Sequence, residues 1–206
     1  MGSGDAGNTE GYLWSWITTA LNYVQKKKIL LSGVNALVNS EVMLLQGGYE
    51  GQLVFSDFTN TTPLHAFSGG GEVNPGATTL YHGLAMFGVQ NSYYNYEKTG
   101  LWTYGRVMKN RPMVLNWEYR LSTDMAGSSN NDIGALTMYN LSPYVSWKNI
   151  NGSTITYGID CASSTTMAVA CYESLEFDGG LPHTKKIFAT AKVIMEPLPA
   201  GCSIAF

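Results

Sequence analysis

Residues able to carry out acid–base or nucleophilic chemistry are few and widely spaced in this chain. The three histidines are His65, His82 and His183, and no His-x-x-x-His or Cys-x-x-Cys spacing occurs. Because zinc sites draw on closely spaced ligands of these types, we predict no metal site. No Gly-x-Ser-x-Gly elbow, Walker-type phosphate loop or EF-hand loop is present either. We therefore expect that the protein is not an enzyme, has no catalytic residue and needs no cofactor.

The enzymatic alternative is a propeller glycosidase. A retaining glycosidase uses two carboxylates about 5 Å apart, for which Glu118 and Asp132 are candidates by elimination. Residues 131–134 (NDIG) are loosely similar to the Asp-x-Gly turn of a sialidase Asp-box. Sialidases, however, bind a substrate carboxylate with arginines drawn from several blades, whereas all three arginines here lie within residues 106–120. Glu118 is therefore expected on a solvated strand face, and the glycosidase is the less favoured interpretation.

Aromatic side chains could instead provide flat platforms on which the apolar faces of sugars stack. The candidates on predicted strands are Trp102, Tyr104, Trp117, Tyr144, Trp147 and Tyr157. Packing in the core is the alternative interpretation, and it is favoured for these strand residues because aromatic rings contribute much of the buried area in β-proteins.

A loop near the middle of the chain has the composition of a binding surface. Residues 91–98 combine Tyr93, Tyr94, Asn95 and Tyr96 with further small polar residues, a mixture typical of antibody paratopes. We predict that these four residues, together with Trp102, form a ligand-binding surface, with a host-surface glycan or receptor as the ligand.

Composition limits the elements that can position such residues. The chain has 206 residues, of which 45% are hydrophobic and 13% charged, and its formal net charge is −3. Such a chain buries a core in one domain or two small ones, and it has no cationic surface for nucleic acid. No stretch approaches the 18 apolar residues of a membrane span. Few charges together with many Gly, Tyr, Ser, Thr and Asn residues indicate an all-β protein.

The N-terminal segment, residues 1–28, allows two interpretations. Leu13, Ile17, Ala20 and Val24 follow helical spacing, and the lysines at 26–28 would then lie at the helix C-terminus. The alternative is a strand over residues 12–19, because Trp14 and its neighbours also alternate. Both interpretations stay open at this point.

From residue 29 onward the pattern is that of short strands separated by turns. Leu115, Trp117 and Tyr119 alternate with polar residues, as do Ile155, Tyr157 and Ile159, and each set predicts a half-buried strand. Glycine-rich and Asn-Gly turns separate such runs, which favours a sandwich, a barrel or a propeller. The cysteines Cys161, Cys171 and Cys202 predict buried free thiols, with a Cys161–Cys171 bridge across a hairpin as the alternative.

A weak internal repeat favours the propeller. The Gly-x-apolar-x-aromatic pattern of residues 51–55 recurs at 83–88 and at 134–139, and Tyr104-Gly105 recurs as Tyr157-Gly158. A period near 50 residues fits one four-stranded antiparallel blade. We predict a propeller-like β-domain over residues 29–182, followed by the start of a β-sandwich, or an exchanged strand, over residues 183–206.

At these residues the chain resembles a segment of bacteriophage tail and virion proteins in which a β-propeller leads into a β-sandwich. The resemblance lies in residues 81–88 (YHGLAMFG), 100–106 (GLWTYGR), 110–122 (NRPMVLNWEYRLS) and 186–202, from KIF to EPLPAGC. It implies a structural protein of a phage tail or baseplate, assembled in the host cytoplasm and located in the virion. Its partners would be other virion subunits, including copies of itself, and a host receptor.

Two further expectations complete this interpretation. A lectin-like adhesin that binds carbohydrate through the loop at residues 91–98 is the alternative function. In addition, the strands predicted over residues 186–195 and 203–206 are expected to pair outside this chain, because an apolar edge strand left unpaired favours aggregation.

Overall fold

The computed structural model describes residues 2–4, 10–29, 33–47, 52–56, 61–67, 72–90, 99–122, 130–162 and 171–172. This part of the chain is all-β, with fifteen strands in four antiparallel sheets and no helix. Within it, accordingly, there is no helix that could cross a membrane. The predicted all-β class is confirmed in these residues, and their sheets form no closed barrel.

The first sheet consists of three strands. They are β1 (Gly2–Gly4), β2 (Gly11–Ser15) and β3 (Gln25–Ile29), in that order. Leu13 and Ile29 are buried in a small cluster with Val34 and Leu37. This sheet replaces the helix offered as one alternative for the N-terminal segment.

The helical interpretation is wrong, and in the described part of the chain the apolar residues of its stripe are not buried together. Leu21 and Val24 are exposed, while the strand alternation buries Leu13 and places Trp14 opposite Lys26 of β3. Lys26 Nζ lies 4.1 Å from the centre of the Tyr12 ring and 4.6 Å from that of Trp14, within the range of cation–π attraction. The lysines therefore pair with a strand and do not end a helix.

The second and third sheets are built from strands that follow one another up and down. The second contains β4 (Ala36–Asn39), β5 (Met43–Gly47), β6 (Gln52–Ser56) and β7 (Thr61–Ala66). The third contains β8 (Thr78–Tyr81), β9 (Leu84–Val89), β10 (Gly100–Gly105) and β11 (Val114–Tyr119), with the short β15 (Cys171–Tyr172) beside β11. Strands β9 and β10 are buried along almost their whole length, so the third sheet forms the centre of the main core.

The fourth sheet has three longer strands joined by tight turns. They are β12 (Asn130–Tyr139), β13 (Ser142–Asn151) and β14 (Thr154–Cys161). Asn140 and Leu141 form the first turn with positive φ values of 47° and 63°, which is the mark of a type I′ hairpin. Leucine is unusual there, since its Cβ disfavours this conformation.

The fourth sheet packs on the third through a close approach at one glycine. Ile133 of β12 is fully buried, and a Cβ added to Gly88 of β9 would lie 2.6 Å from Ile133 Cγ2. The missing side chain at Gly88 therefore makes room for the isoleucine. Such a fit holds the two sheets in a defined register.

The repeat found in the sequence does not mark equivalent strands. Its three copies fall on β6, β9 and β12, which are the third, second and first strands of their sheets. Tyr104-Gly105 and Tyr157-Gly158, by contrast, both lie on the third strand of their sheets. The propeller-like arrangement stays a prediction.

The chain divides into two compact units, Met1–Leu175 and Glu176–Phe206, and all described residues belong to the first. The predicted boundary at residues 182–183 and the strands expected over residues 186–195 and 203–206 lie outside the described residues.

Candidate functional site

Trp102, one of the five predicted binding residues, belongs to the core. Its side chain is 1% exposed and packs against Trp117, with ring centres 6.4 Å apart, and against Phe67, with ring centres 5.1 Å apart. No sugar can reach a ring covered in this way, which corrects the expectation for Trp102. The favoured core interpretation is confirmed for Trp102, Tyr104 and Trp117. Tyr93, Tyr94, Asn95 and Tyr96 lie outside the described residues, so their role stays a prediction.

The aromatic candidates that remain accessible lie on the fourth sheet. Tyr157 of β14 is exposed, while Tyr144 and Trp147 of β13 are half-buried. Trp147 lies across Gly158, where an added Cβ would come within 2.3 Å of Trp147 Cζ2. Glycine at this position therefore lets the indole lie flat along the sheet.

The register of the fourth sheet defines two faces, because residues paired across antiparallel strands point to the same side. The inner face contains Ile133, Leu136, Val145 and Asn149, which are all buried. We call the other side the outer face; its residues include Asp132, Ala135, Thr137, Tyr139, Ser142, Tyr144, Ser146, Lys148, Ile150, Ile155, Tyr157, Ile159 and Cys161.

Apolar side chains dominate the β14 part of the outer face. Ile155, Tyr157 and Ile159 are 50%, 72% and 73% exposed, and β14 is exposed along nearly its full length. Contiguous apolar surface of this kind marks interaction sites in soluble proteins. The alternation predicted for this strand is confirmed, but its apolar side faces outward and not into the core.

The centre of the outer face is polar and electrically balanced. Lys148 Nζ lies 3.3 Å from Asp132 Oδ2, and both side chains are about one-third exposed. Ser146 Oγ accepts a hydrogen bond of 2.9 Å from the backbone N–H of Ala135, where β12 has a bulge. Because one cation is matched by one anion, the outer face presents no strong net charge to a partner.

A pair of tyrosines extends the outer face toward the β12–β13 turn. The rings of Tyr139 and Tyr144 meet edge to face, with centres 6.0 Å apart. A hydrogen bond with the Cys161 thiol raises the pKa of Tyr144. Cys161 is free and exposed, so both the buried thiol and the bridge to Cys171 are wrong for this residue. The two cysteines lie on strands of different sheets.

Two hollows adjoin β14. One of about 510 Å³ opens on the outer face and is lined by Asp132, Ser146, Lys148, Tyr157 and Ile159, among others. The other, of about 340 Å³, lies where β14 meets the segment after β11. There Ser122 donates hydrogen bonds to Asp160 from its backbone N–H, at 2.7 Å, and from its hydroxyl, at 2.8 Å. These bonds tie the end of β14 to the rest of the molecule.

The carboxylates of the glycosidase alternative lie on different sheets. Glu118 of β11 accepts hydrogen bonds from Thr103, at 3.3 Å, and from Asn116, at 2.6 Å. Asp132 of β12 pairs with Lys148. Each carboxylate thus has its own local partners, and Glu118 is half-buried on its strand.

The remaining chemical candidates also make local contacts. Arg106 pairs with Glu41, and the Arg120 guanidinium lies 5.1 Å from the centre of the Trp117 ring. His65 packs edge to face on Phe67, and His82 occupies a turn with a φ of 49° beside the Tyr81 ring. Within the described ranges no group of three or more His, Cys, Asp and Glu side chains could hold a metal ion.

Comparison of the chain with protein families, with curated proteins and with solved structures finds no match.

The sequence predicts the β14 strand but does not predict the outer face as a site. Alternation shows which residues share a side of a strand, and it does not show which side is covered. Gly158 was the available signal, because a glycine in mid-strand often marks close approach of another group. Here that group is the Trp147 ring.

Proposed function

We propose that this protein is a structural component of a bacteriophage tail or baseplate, located in the virion and assembled in the host cytoplasm. It works by binding other subunits, including copies of itself, and its exposed surfaces contact a host receptor. The resemblance of residues 81–122 and 186–202 to tail proteins supports the virion assignment. The propeller-like arrangement of four-stranded blades, leading into a sandwich strand, is part of this proposal, and catalysis is not.

The observation that carries the assembly role is the exposed apolar part of the outer face. Tyr139 is 64% exposed, and it lies on the same face as the apolar residues of β14. Because one aromatic side chain buries about 150–250 Å² when it is covered, the face offers several hundred Å². That approaches the ~800 Å² that each partner contributes to a standard interface. Its neutral centre also fits, because interface cores are depleted of charge.

The mass of the purified full chain in solution tests the assembly role. We expect sedimentation or light scattering to give a multiple of the 22.4 kDa chain mass at micromolar concentration. A single-chain mass over the whole accessible concentration range would overturn the assembly role.

The virion assignment has its own test. Mass spectrometry of purified phage particles should detect the chain at a fixed stoichiometry to the other tail proteins. Absence from particles that contain the rest of the tail would overturn the assignment.

A carbohydrate-binding adhesin is the second candidate, and the hollow on the outer face favours it. An exposed Tyr157 ring lies beside Lys148, Asp132 and Ser146, so a flat apolar surface adjoins groups that can bind hydroxyls. Ligand sites commonly combine these two features.

A glycan array with three proteins tests the adhesin. Tyr157→Ala should abolish binding if the hollow is the site, and Tyr94→Ala should abolish it if the predicted loop is. Equal binding by wild type and both variants, or none by any of them, would count against the adhesin.

A further inference from the structure

The two edges of the fourth sheet differ in how their backbone groups are bonded. Along β12, groups that point away from β13 find partners in the same chain. Leu136 N–H donates to Gly76 O at 2.9 Å, and Ile133 N–H donates to Gln90 Oε1 at 3.2 Å. Asn74 Nδ2 donates to Ile133 O at 2.6 Å. This edge is therefore capped by a turn and two side chains, and cannot accept another strand there.

The hydrogen-bond pattern between β13 and β14 shows which backbone groups of β14 point away from β13. Ala162 N–H, just beyond the end of β14, donates to Pro143 O of β13 at 3.1 Å. Bonded pairs alternate along an antiparallel ladder, so Asp160, Gly158, Thr156 and Thr154 bond to β13. The N–H and C=O groups of Ile155, Tyr157 and Ile159 then point away from β13. Within the described ranges no strand lies on that side.

The composition of β14 does not protect this edge. Natural edge strands are commonly blocked by proline, lysine or a bulge, whereas β14 contains none of these within its paired length. Its single charged residue, Asp160, is held by Ser122. Five of its eight residues are Thr, Ile or Tyr, which have high β-propensity, and the exposed strand presents a regular row of donors and acceptors.

We propose that β14 pairs antiparallel with β14 of a second copy of this chain, across a two-fold axis through Tyr157, to form one six-stranded sheet. The inference rests on the proposed assembly function and names its partner and contact. Two-fold pairing places Tyr157 opposite the partner's Tyr157 and Ile155 opposite the partner's Ile159.

The strand is complementary to itself in this register. Aromatic and β-branched pairs across strands are favourable, and like charges opposite each other are not. Asp160 falls opposite the partner's Thr154, so no like charges face one another. The apolar stripes of the two outer faces become continuous across the axis.

The capped β12 edge explains why such pairing stops at two copies. A two-fold contact uses the same surface on both copies and closes on itself. Since the opposite edge of each sheet is occupied by residues 74–76 and Gln90, the sheet does not grow further. The product is a closed dimer and not a fibre.

A matched pair of charge substitutions tests the contact in the full chain. Tyr157→Lys places two lysines opposite each other in the dimer and little else changes, because the side chain is exposed. We expect the dimer Kd to rise at least about tenfold. Leu21→Lys adds the same charge at a fully exposed position between β2 and β3, outside the fourth sheet, and should leave the Kd within about threefold. Near-ultraviolet circular dichroism verifies that both variants fold.

Amide hydrogen exchange measures directly whether the amides at the β14 edge are protected, and it includes an internal control. The amides of Thr156, Gly158 and Asp160 should be protected at every concentration, because they bond to β13. Those of Ile155, Tyr157 and Ile159 should gain protection only as the dimer forms.

Four outcomes are distinguishable. Concentration-dependent protection together with dissociation of Tyr157→Lys supports the contact. Assembly without protection of these amides, or unchanged by Tyr157→Lys, overturns the contact and leaves the assembly function standing. Protection of the same amides in a monomer shows that another segment of the chain covers β14, which overturns the contact. A wild-type chain that never assembles overturns both proposals.

Discussion

Strands β11 and β14 have the same alternation of apolar and polar side chains but opposite surroundings. In β11 the apolar residues Leu115 and Trp117 are 4% and 7% exposed, because the third sheet lies inside the main core. In β14 the apolar residues point outward, and Trp147 covers the other side at Gly158. Alternation thus sets the two faces of a strand, and its neighbours determine which face is buried.

The largest effect on the free energy of unfolding should come from removing the Trp102 ring from the core. We expect Trp102→Ala to lower the free energy of unfolding by about 3–5 kcal/mol, because it leaves a cavity between Phe67 and Trp117. Denaturation in urea measures this. Tyr157→Ala, at concentrations where the chain is monomeric, should change the same quantity by less than about 0.5 kcal/mol. Similar losses in the free energy of unfolding in both variants would contradict the difference between a buried Trp102 and an exposed Tyr157.

The contact between the third and fourth sheets should show the next largest effect. Gly88→Ala places a Cβ against Ile133, and we expect a loss of about 1–3 kcal/mol in the free energy of unfolding. Ile133→Ala should cost less in the Gly88→Ala background than in wild type, because the smaller side chain relieves the clash. Additive losses in this double-mutant cycle would show that the two residues are not coupled.

Alkaline pH should separate the half-buried tyrosine of β11 from the exposed one of β14. Burial, together with a 3.2 Å hydrogen bond to Tyr81, raises the pKa of Tyr119 well above its usual value. The folded chain then holds this proton more tightly than the unfolded chain. The stabilisation is complete below pH of about 10 and declines as the pH rises further.

When the free energy of unfolding is measured from pH 8 upward, it should accordingly fall less in Tyr119→Phe than in wild type. Part of the loss should remain, because burial also raises the pKa of Tyr104. Tyr157→Phe is the matched control and should follow the wild-type curve. A control variant that flattens the curve as much as Tyr119→Phe would contradict the assignment.

The smallest effect concerns the ion pair of the outer face. Asp132→Asn should lower the free energy of unfolding by at most about 1 kcal/mol, since exposed pairs gain little over hydrated ions. The loss should shrink at high salt. A salt-independent loss well above this size would show that Asp132 has a buried structural role.

The all-β class, the β11 and β14 strands and their alternation could be predicted from sequence because they depend on local chemistry. The first strands could not be separated from a helix, since helical spacing over residues 13–24 overlaps strand alternation over residues 12–19. Only the pairing of β2 with β3, which places Lys26 on Tyr12 and Trp14, decides between them. That pairing is a tertiary contact.

The candidate site was harder to predict for the same reason. Trp102 and Tyr157 look alike as aromatic residues on strands, and their accessibility depends on neighbours far along the chain. Phe67 and Trp117 cover the former, whereas among the residues that the structure describes no comparable cover lies over the latter. Composition could not distinguish them.

The leucine in the β12–β13 turn has a consequence for selection experiments. Leu141 is 77% exposed and has a φ of 63°, a backbone conformation that costs a non-glycine residue about 1–2 kcal/mol. Leu141→Gly would create Asn-Gly, the preferred pair for this turn, and remove an apolar side chain next to Tyr139. A screen for heat resistance should therefore recover glycine at this position, whereas a screen for assembly should retain leucine if the hairpin tip contributes to contacts between subunits.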